Sequence, residues 1–253
     1  MRHDINTRQF ASLNAVIDTA GGQKTKQTLI DFYDTVKGAT VMAINALDMI
    51  KKHRIVPVTA VNRLEDTDII LSALCDGGLP VAEIVFRTAC AGEAIERGVK
   101  KFPHMTIGAG TVINKAQCER AIGAGAGFIV SPGFSRELAE ICAARKVLYL
   151  PGCVTPTEIM LALESNLAVV KFFPAGIYGG VRALKALSAP FGAVKFVPTG
   201  GVNESNLREY SECESVLAVG GSWMLDTSDY AQIKAKTERA VAIARSAGGG
   251  EQI

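Results

Sequence analysis

From Arg54 onward, short runs of β-branched and apolar residues alternate with longer amphipathic stretches, the pattern of repeated strand–helix units around a parallel sheet. Eight such runs are present: Ile55 to Thr59, Val81 to Phe86, Thr106 to Ala109, Gly127 to Ser131, Val147 to Pro151, Ala168 to Phe173, Val194 to Thr199 and Val216 to Val219. Their spacing of roughly 20 to 27 residues suits one strand, one helix and two loops per unit. The expectation is an α/β fold, a single (β/α)8 TIM barrel over residues 40–247. A doubly wound open sheet uses the same alternation, but no Gly-x-Gly-x-x-Gly follows the first run, and the count of eight favours the barrel.

The helices between these runs carry their own start and stop signals. Asp66 to Cys75 ends at Gly77-Gly78, Lys115 to Ala124 follows Asn114 as an N-cap, and others begin near Ser135, Pro156 and Asn203. Residues 1–39 fall outside the rhythm and read as an N-terminal helical extension, with a helix from Thr25 to Val36. Gly21-Gly22-Gln23-Lys24-Thr25 lacks the Walker spacing of a phosphate loop. Thr40 to Lys52 is expected to form a helix across the bottom of the barrel, and residues 248–253 a flexible tail.

Composition narrows the partners. The net charge of +2 is spread without a basic block or interleaved aromatics, so nucleic acid is not expected, and no run reaches the roughly 18 apolar residues of a membrane span. The first residues lack a secretory apolar region, and a cytoplasmic protein acting on small molecules is the expectation. Six cysteines are scattered singly and read as reduced thiols, and His3, His53 and His104 lie far apart, so no metal site and no cofactor are expected. The chemistry then falls to a lysine or a carboxylate.

Lys171 is the leading candidate. It sits in Val169-Val170-Lys171-Phe172-Phe173-Pro174, a run that otherwise reads as a buried strand. Burial disfavours a charged amine, and a neutral amine attacks carbonyl carbons, so Schiff-base chemistry competes with a lysine that snorkels or pairs with a carboxylate. Barrel sites form where strands end, so the other C-terminal ends are read with it. Strand alternation places Glu83 and Arg87 on one face with Val85 between them, and Gly108-Ala109-Gly110-Thr111 offers close backbone approach and a hydroxyl. Lysine, glutamate and arginine at adjacent strand ends supply a nucleophile, a proton shuttle and a carboxylate anchor. Glycine-rich turns at Thr199-Gly200-Gly201 and Gly220-Gly221-Ser222 follow the last two strands, where barrels often hold an anion on backbone amides.

Taken together, Glu83-Ile84-Val85-Phe86-Arg87-Thr88, Gly108-Ala109-Gly110-Thr111-Val112, Ser131-Pro132-Gly133, Lys171-Phe172-Phe173-Pro174-Ala175, Pro198-Thr199-Gly200-Gly201-Val202 and Gly220-Gly221-Ser222-Trp223 closely resemble the 2-dehydro-3-deoxy-6-phosphogluconate aldolases. That family also covers 4-hydroxy-2-oxoglutarate aldolase activity. The resemblance runs in order from His53 to the early 240s. It implies a metal-free class I aldolase that cleaves a phosphorylated 2-keto-3-deoxy sugar acid to pyruvate and glyceraldehyde 3-phosphate, and a homotrimer. By position it implies Lys171 as the Schiff-base residue and Glu83 as the proton carrier. Arg87 and Thr111 would hold the carboxylate and pyruvoyl portion, and Pro132 and Phe173 would line the site. Thr199, Gly200, Gly201, Gly221 and Ser222 would take the phosphate.

The chain departs from the family pattern at Gly176-Ile177-Tyr178, where many relatives carry a glutamate, and at Thr59-Ala60-Val61-Asn62, where some carry an arginine. The competing readings are a lyase acting mainly on 4-hydroxy-2-oxoglutarate and a non-catalytic phosphosugar-binding or assembly barrel.

Overall fold

Strands and helices alternate throughout residues 46–247, the part of the chain that the computed structural model describes. Helix α1 (46–53) precedes β1 (Ile55–Thr59), and then come α2 (Asp66–Asp76), β2 (Val81–Val85), α3 (Ala91–Lys101), β3 (Thr106–Gly110), α4 (Lys115–Gly123) and β4 (Phe128–Val130). The second half continues with α5 (Arg136–Arg145), β5 (Leu148–Leu150), α6 (Pro156–Glu164), β6 (Val169–Phe172), α7 (Gly180–Ser188), β7 (Lys195–Pro198), α8 (Leu207–Ser211), β8 (Val219–Gly221) and α9 (Tyr230–Ala247). All eight expected strands are present. The extension expected at 1–39 and the tail at 248–253 lie outside the described residues.

The sheet is a curled, parallel, six-stranded one in the order β5-β4-β3-β2-β1-β8, and β6 pairs with β7 in a separate parallel ladder. Single parallel bridges connect the two pieces, Gly152 with Lys171 on one side and Phe196 with Val216 and Thr199 with Gly220 on the other. Burial follows the runs: every residue of β2 is buried, as a strand covered on both faces must be. Between strands and helices Leu71, Ile84, Ile95 and Ile107 belong to one apolar cluster, and Ile55, Phe172, Leu184 and Phe196 to another. Ala46 and Ile50 of α1 pack with Val56, Val81, Phe128 and Leu150, which sets that helix against the strands.

Local chemistry accounts for the helix ends. The Asn114 side chain accepts the Gln117 N–H at 2.9 Å, and the Ser135 hydroxyl accepts the Leu138 N–H at 3.4 Å. Thr155 and Glu158 form a reciprocal capping box ahead of Pro156. Helix α2 stops at Gly77, and Gly78 turns the chain in the left-handed region at φ 83°.

Two expectations are corrected. The last strand is not Val216 to Val219 but Val219–Gly221, because its ladder to β1 pairs Ile55 with Val219, Val56 with Gly220 and Pro57 with Gly221. A glycine pair that reads as a turn is here strand, since a Cβ on Gly220 would come within 2.2 Å of Thr199 Oγ1 on the neighbouring strand's end. The helix expected near Asn203 begins only at Leu207. Asn203 Oδ1 accepts from the Ser205 N–H at 2.9 Å and hydroxyl at 2.6 Å, and the Asn206 side chain bonds Asn203 N and Gly201 O, so side chains hold the segment in a turn.

Candidate active site

The contact at the centre of the site joins strands that are not neighbours. Lys171 on β6 donates from Nζ to Glu83 Oε1 on β2 at 3.3 Å, with the two residues 7% and 3% exposed. The sequence reading had these groups at adjacent strand ends; they instead meet across the interior. A buried ammonium and a buried carboxylate each cost free energy unless paired, and here each is the other's counterion.

Glycines make room for this pair. A Cβ on Gly110 would lie 2.0 Å from Glu83 Oε1 and 2.6 Å from its Cγ and Cδ, so only the bare backbone at the end of β3 lets the carboxylate lie where it does. Gly108 likewise accommodates the Phe128 ring, which would stand 2.3 Å from an added Cβ. These glycines therefore admit the protein's own side chains, where the sequence suggested a ligand's approach. Gly110→Ala is expected to push the Glu83 carboxylate aside and lower kcat by about 100-fold, with the overpacking costing roughly 1–3 kcal/mol of stability. Steady-state kinetics beside thermal unfolding of the variant check both; a kcat within a factor of a few of the parent's would show that the carboxylate's placement does not matter.

Of the other residues singled out in the sequence, Phe173 reaches the pair itself. Phe173, 39% exposed, places its ring centroid 5.4 Å from Lys171 Nζ, a cation–π distance. The same ring packs on Gly200, where a Cβ would meet it at 3.2 Å, and Gly176 N–H donates to Gly200 O at 2.9 Å, so the β6 and β7 ends are joined. Gly200 and Gly201 sit at φ 87° and 83°, a region open to glycine and strained for other residues. Thr199 is buried beside Gly220, Gly221 makes room for the Trp223 ring, and Ser222 is exposed. Thr111, directly after β3, holds φ at 55°, an outlier for a β-branched residue that costs about 1–3 kcal/mol. Pro132 is exposed in the loop after β4.

Arg87 lies beyond the end of its strand. Strand β2 ends at Val85, and the Arg87 N–H turns back to Val85 O at 2.8 Å. The alternation that would have aligned Arg87 with Glu83 stops two residues short of it. Arg87 is exposed and makes no ion pair among the described residues.

Sequence reasoning missed Gly152 and Tyr149. A Cβ on Gly152 would stand 2.0 Å from Pro132 O, and Gly152 bridges to Lys171, whose N–H donates to Pro151 O and whose carbonyl accepts from Cys153 N–H, both at 2.8 Å. The Tyr149 hydroxyl lies 2.6 Å from Ser131 Oγ at the head of the Pro132 loop. Neither residue has a signal in one sequence, because each matters through a contact with a distant loop.

Among the described residues no group of three or more His, Cys, Asp or Glu side chains is arranged to hold a metal ion, and no helix is long and apolar enough to cross a membrane.

A parallel sheet with a paired lysine and glutamate buried between its strands defines the chain's class as an α/β protein with an enzyme-like site. Comparison with known proteins narrows the class to a family. The family model described as KDPG and KHG aldolase matches residues 46–237, and the chain belongs to that family. Among relatives, the 2-dehydro-3-deoxy-phosphogluconate aldolase of Treponema pallidum is 40% identical over 205 residues, covering 79% of this chain and 98% of the relative. The KHG/KDPG aldolase of Escherichia coli is 40% identical over 192 residues, 74% of this chain and 90% of its own. Among solved structures, the KDPG aldolase of Legionella pneumophila, with pyruvate captured as a covalent carbinolamine intermediate, superposes with a TM-score of 0.71 at 35% identity, covering 79% of this chain and 97% of that one. The chain is thus similar to aldolases along almost their full length, and an aldolase is a carbon–carbon lyase.

Proposed function

We propose that this protein is a class I aldolase that cleaves 2-dehydro-3-deoxy-6-phosphogluconate to pyruvate and glyceraldehyde 3-phosphate through a Schiff base on Lys171. The observation that carries the reading is the buried contact at 3.3 Å between Lys171 Nζ and Glu83 Oε1. Lys171 passes a proton to Glu83 and adds to the substrate's C2 carbonyl to give a carbinolamine, whose hydroxyl takes that proton back and leaves as water to form an iminium. Glu83 takes the C4 hydroxyl proton, the C3–C4 bond breaks, and its electrons pass to the iminium nitrogen, giving an enamine while the aldehyde leaves. Protonation at C3 and hydrolysis then release pyruvate and restore the amine. Arg87 and Thr111 hold the carboxylate and pyruvoyl portion, and Pro132 and Phe173 line it. Thr199, Gly200, Gly201, Gly221 and Ser222 form the phosphate end, a role favoured by the left-handed turns at Gly200 and Gly201.

The test of the imine is intact-protein mass after incubation with pyruvate and borohydride. A reduced pyruvate adduct is expected, and its absence overturns the reading. The runner-up is preference for 4-hydroxy-2-oxoglutarate, favoured by the double name of the Escherichia coli relative. Both substrates yield pyruvate and differ at the distal end, so kcat/KM on each decides between them. At least about a tenfold advantage for the phosphorylated substrate is expected, and equal or reversed preference overturns that ordering.

The same reading includes a closed (β/α)8 barrel over residues 40–247, supported by the bridges that join β6 to Gly152 and β7 to Val216 and Gly220. It includes a homotrimer, supported by the family relation and checked by light scattering in solution. It includes a cytoplasmic setting, in keeping with six free cysteines, four of them buried.

A further inference from the structure

The loop that carries Pro132 is wound around one buried hydroxyl. Tyr149 on β5 is 2% exposed, and its OH lies 2.6 Å from Ser131 Oγ, itself on a residue 2% exposed. Ser131 Oγ donates to Gly133 O at 2.5 Å, and Tyr149 OH is 3.5 Å from that carbonyl. One arrangement uses each hydroxyl proton once: Tyr149 O–H to Ser131, Ser131 O–H to Gly133. The loop is therefore tied to β5 at Ser131 and at Gly133. Burial pushes the Tyr149 phenol up to about 12, so it stays a donor at any working pH.

The far side of this loop rests against Gly152, which is bridged to the lysine's strand. Pro132 O stands where a Cβ on Gly152 would come within 2.0 Å, and Gly152 is bridged to Lys171. A shift of the loop therefore passes to Gly152 and, through its bridge, to the backbone of Lys171.

We propose that Tyr149 is a positioning residue: with Ser131 it sets the wall that Pro132 presents to the pyruvoyl end of the substrate next to Lys171. The inference rests on the Schiff-base reading, because it gives Pro132 a place in that site. Tyr149 touches no reacting atom, so removing its hydroxyl loosens binding of the pyruvoyl portion in ground and transition states alike and leaves the chemical step as it was.

The test is borohydride trapping across a range of pyruvate concentrations on the parent, Tyr149→Phe, Ser131→Ala and the double variant. Thr237→Val is the control, which removes a different buried hydroxyl, one that donates to Ile233 O at 2.7 Å within α9. Each single variant is expected to raise the half-saturating pyruvate concentration about tenfold with the same maximal adduct. The double variant is expected to be little worse than either single, because both hydroxyls belong to one hub. KM for the phosphorylated and non-phosphorylated substrates is expected to rise by the same factor, since the pyruvoyl end is common to both. An unchanged half-saturation in both single variants, or the same rise in Thr237→Val, overturns the inference while leaving the Schiff base intact. A parent protein that forms no adduct at all overturns the Schiff-base reading and this inference with it.

Discussion

Lys171→Ala is expected to form no pyruvate adduct with borohydride and to retain at most about 1 part in 10,000 of the parent's kcat. The reason is chemical: without the amine there is no iminium to accept the electrons of the breaking C3–C4 bond, and the alternative is a free carbanion. The same substitution has a second, separable effect. Glu83 is 3% exposed, and Lys171 is its only ion-pair partner among the described residues, so the variant leaves a buried carboxylate uncompensated. A loss of about 3–5 kcal/mol in unfolding free energy is expected, seen as a lower denaturation midpoint. Combining Lys171→Met with Glu83→Leu removes both charges and is expected to recover most of that stability while remaining inactive. If the double variant were as unstable as the single, the pair's electrostatics would not be the cause. If Lys171→Ala kept turnover, the lysine would be structural.

Glu83→Gln is expected to lower kcat by about 100- to 10,000-fold while changing KM by no more than a few-fold. Glutamine fills the same space against Gly110 and still accepts a hydrogen bond from Lys171 Nζ, so the site keeps its shape. It cannot carry a proton, and the steps that need one slow: loss of water from the carbinolamine, removal of the C4 hydroxyl proton, and protonation of the enamine. The pyruvate adduct is therefore still expected with Glu83→Gln, but formed more slowly than with the parent, a contrast with Lys171→Ala. Trapping over a time course beside steady-state cleavage reads both quantities. A variant with more than about a tenth of the parent's kcat would remove Glu83 from the proton path and leave it as a counterion to Lys171.

The strand–helix alternation, the buried character of the strand around Lys171, the cap at Asn114 and the helix starts near Ser135 and Pro156 were all legible along the chain, because each depends on residues a few positions apart. The first strand, Ile55–Thr59, agrees to the residue. Where reading failed, a distant partner decided. Gly220 and Gly221 are strand because β1 supplies their ladder, and Arg87 lies beyond its strand because the chain turns after Val85. No local pattern reveals that Gly110 is the floor beneath Glu83, or that Tyr149 holds a loop that begins 18 residues before it.

By itself the sequence determined the unit that repeats, the number of repeats and which chemically active side chains stand at the strands, since periodicity and residue type are properties of neighbours on the chain. Only the tertiary structure decided that the Lys171 amine meets the Glu83 carboxylate across the interior, over 88 positions of sequence, and which backbones lie close enough to fix them there. That contact depends on how the sheet curls, and the curl is the summed result of strand register and packing, which no short stretch of residues contains.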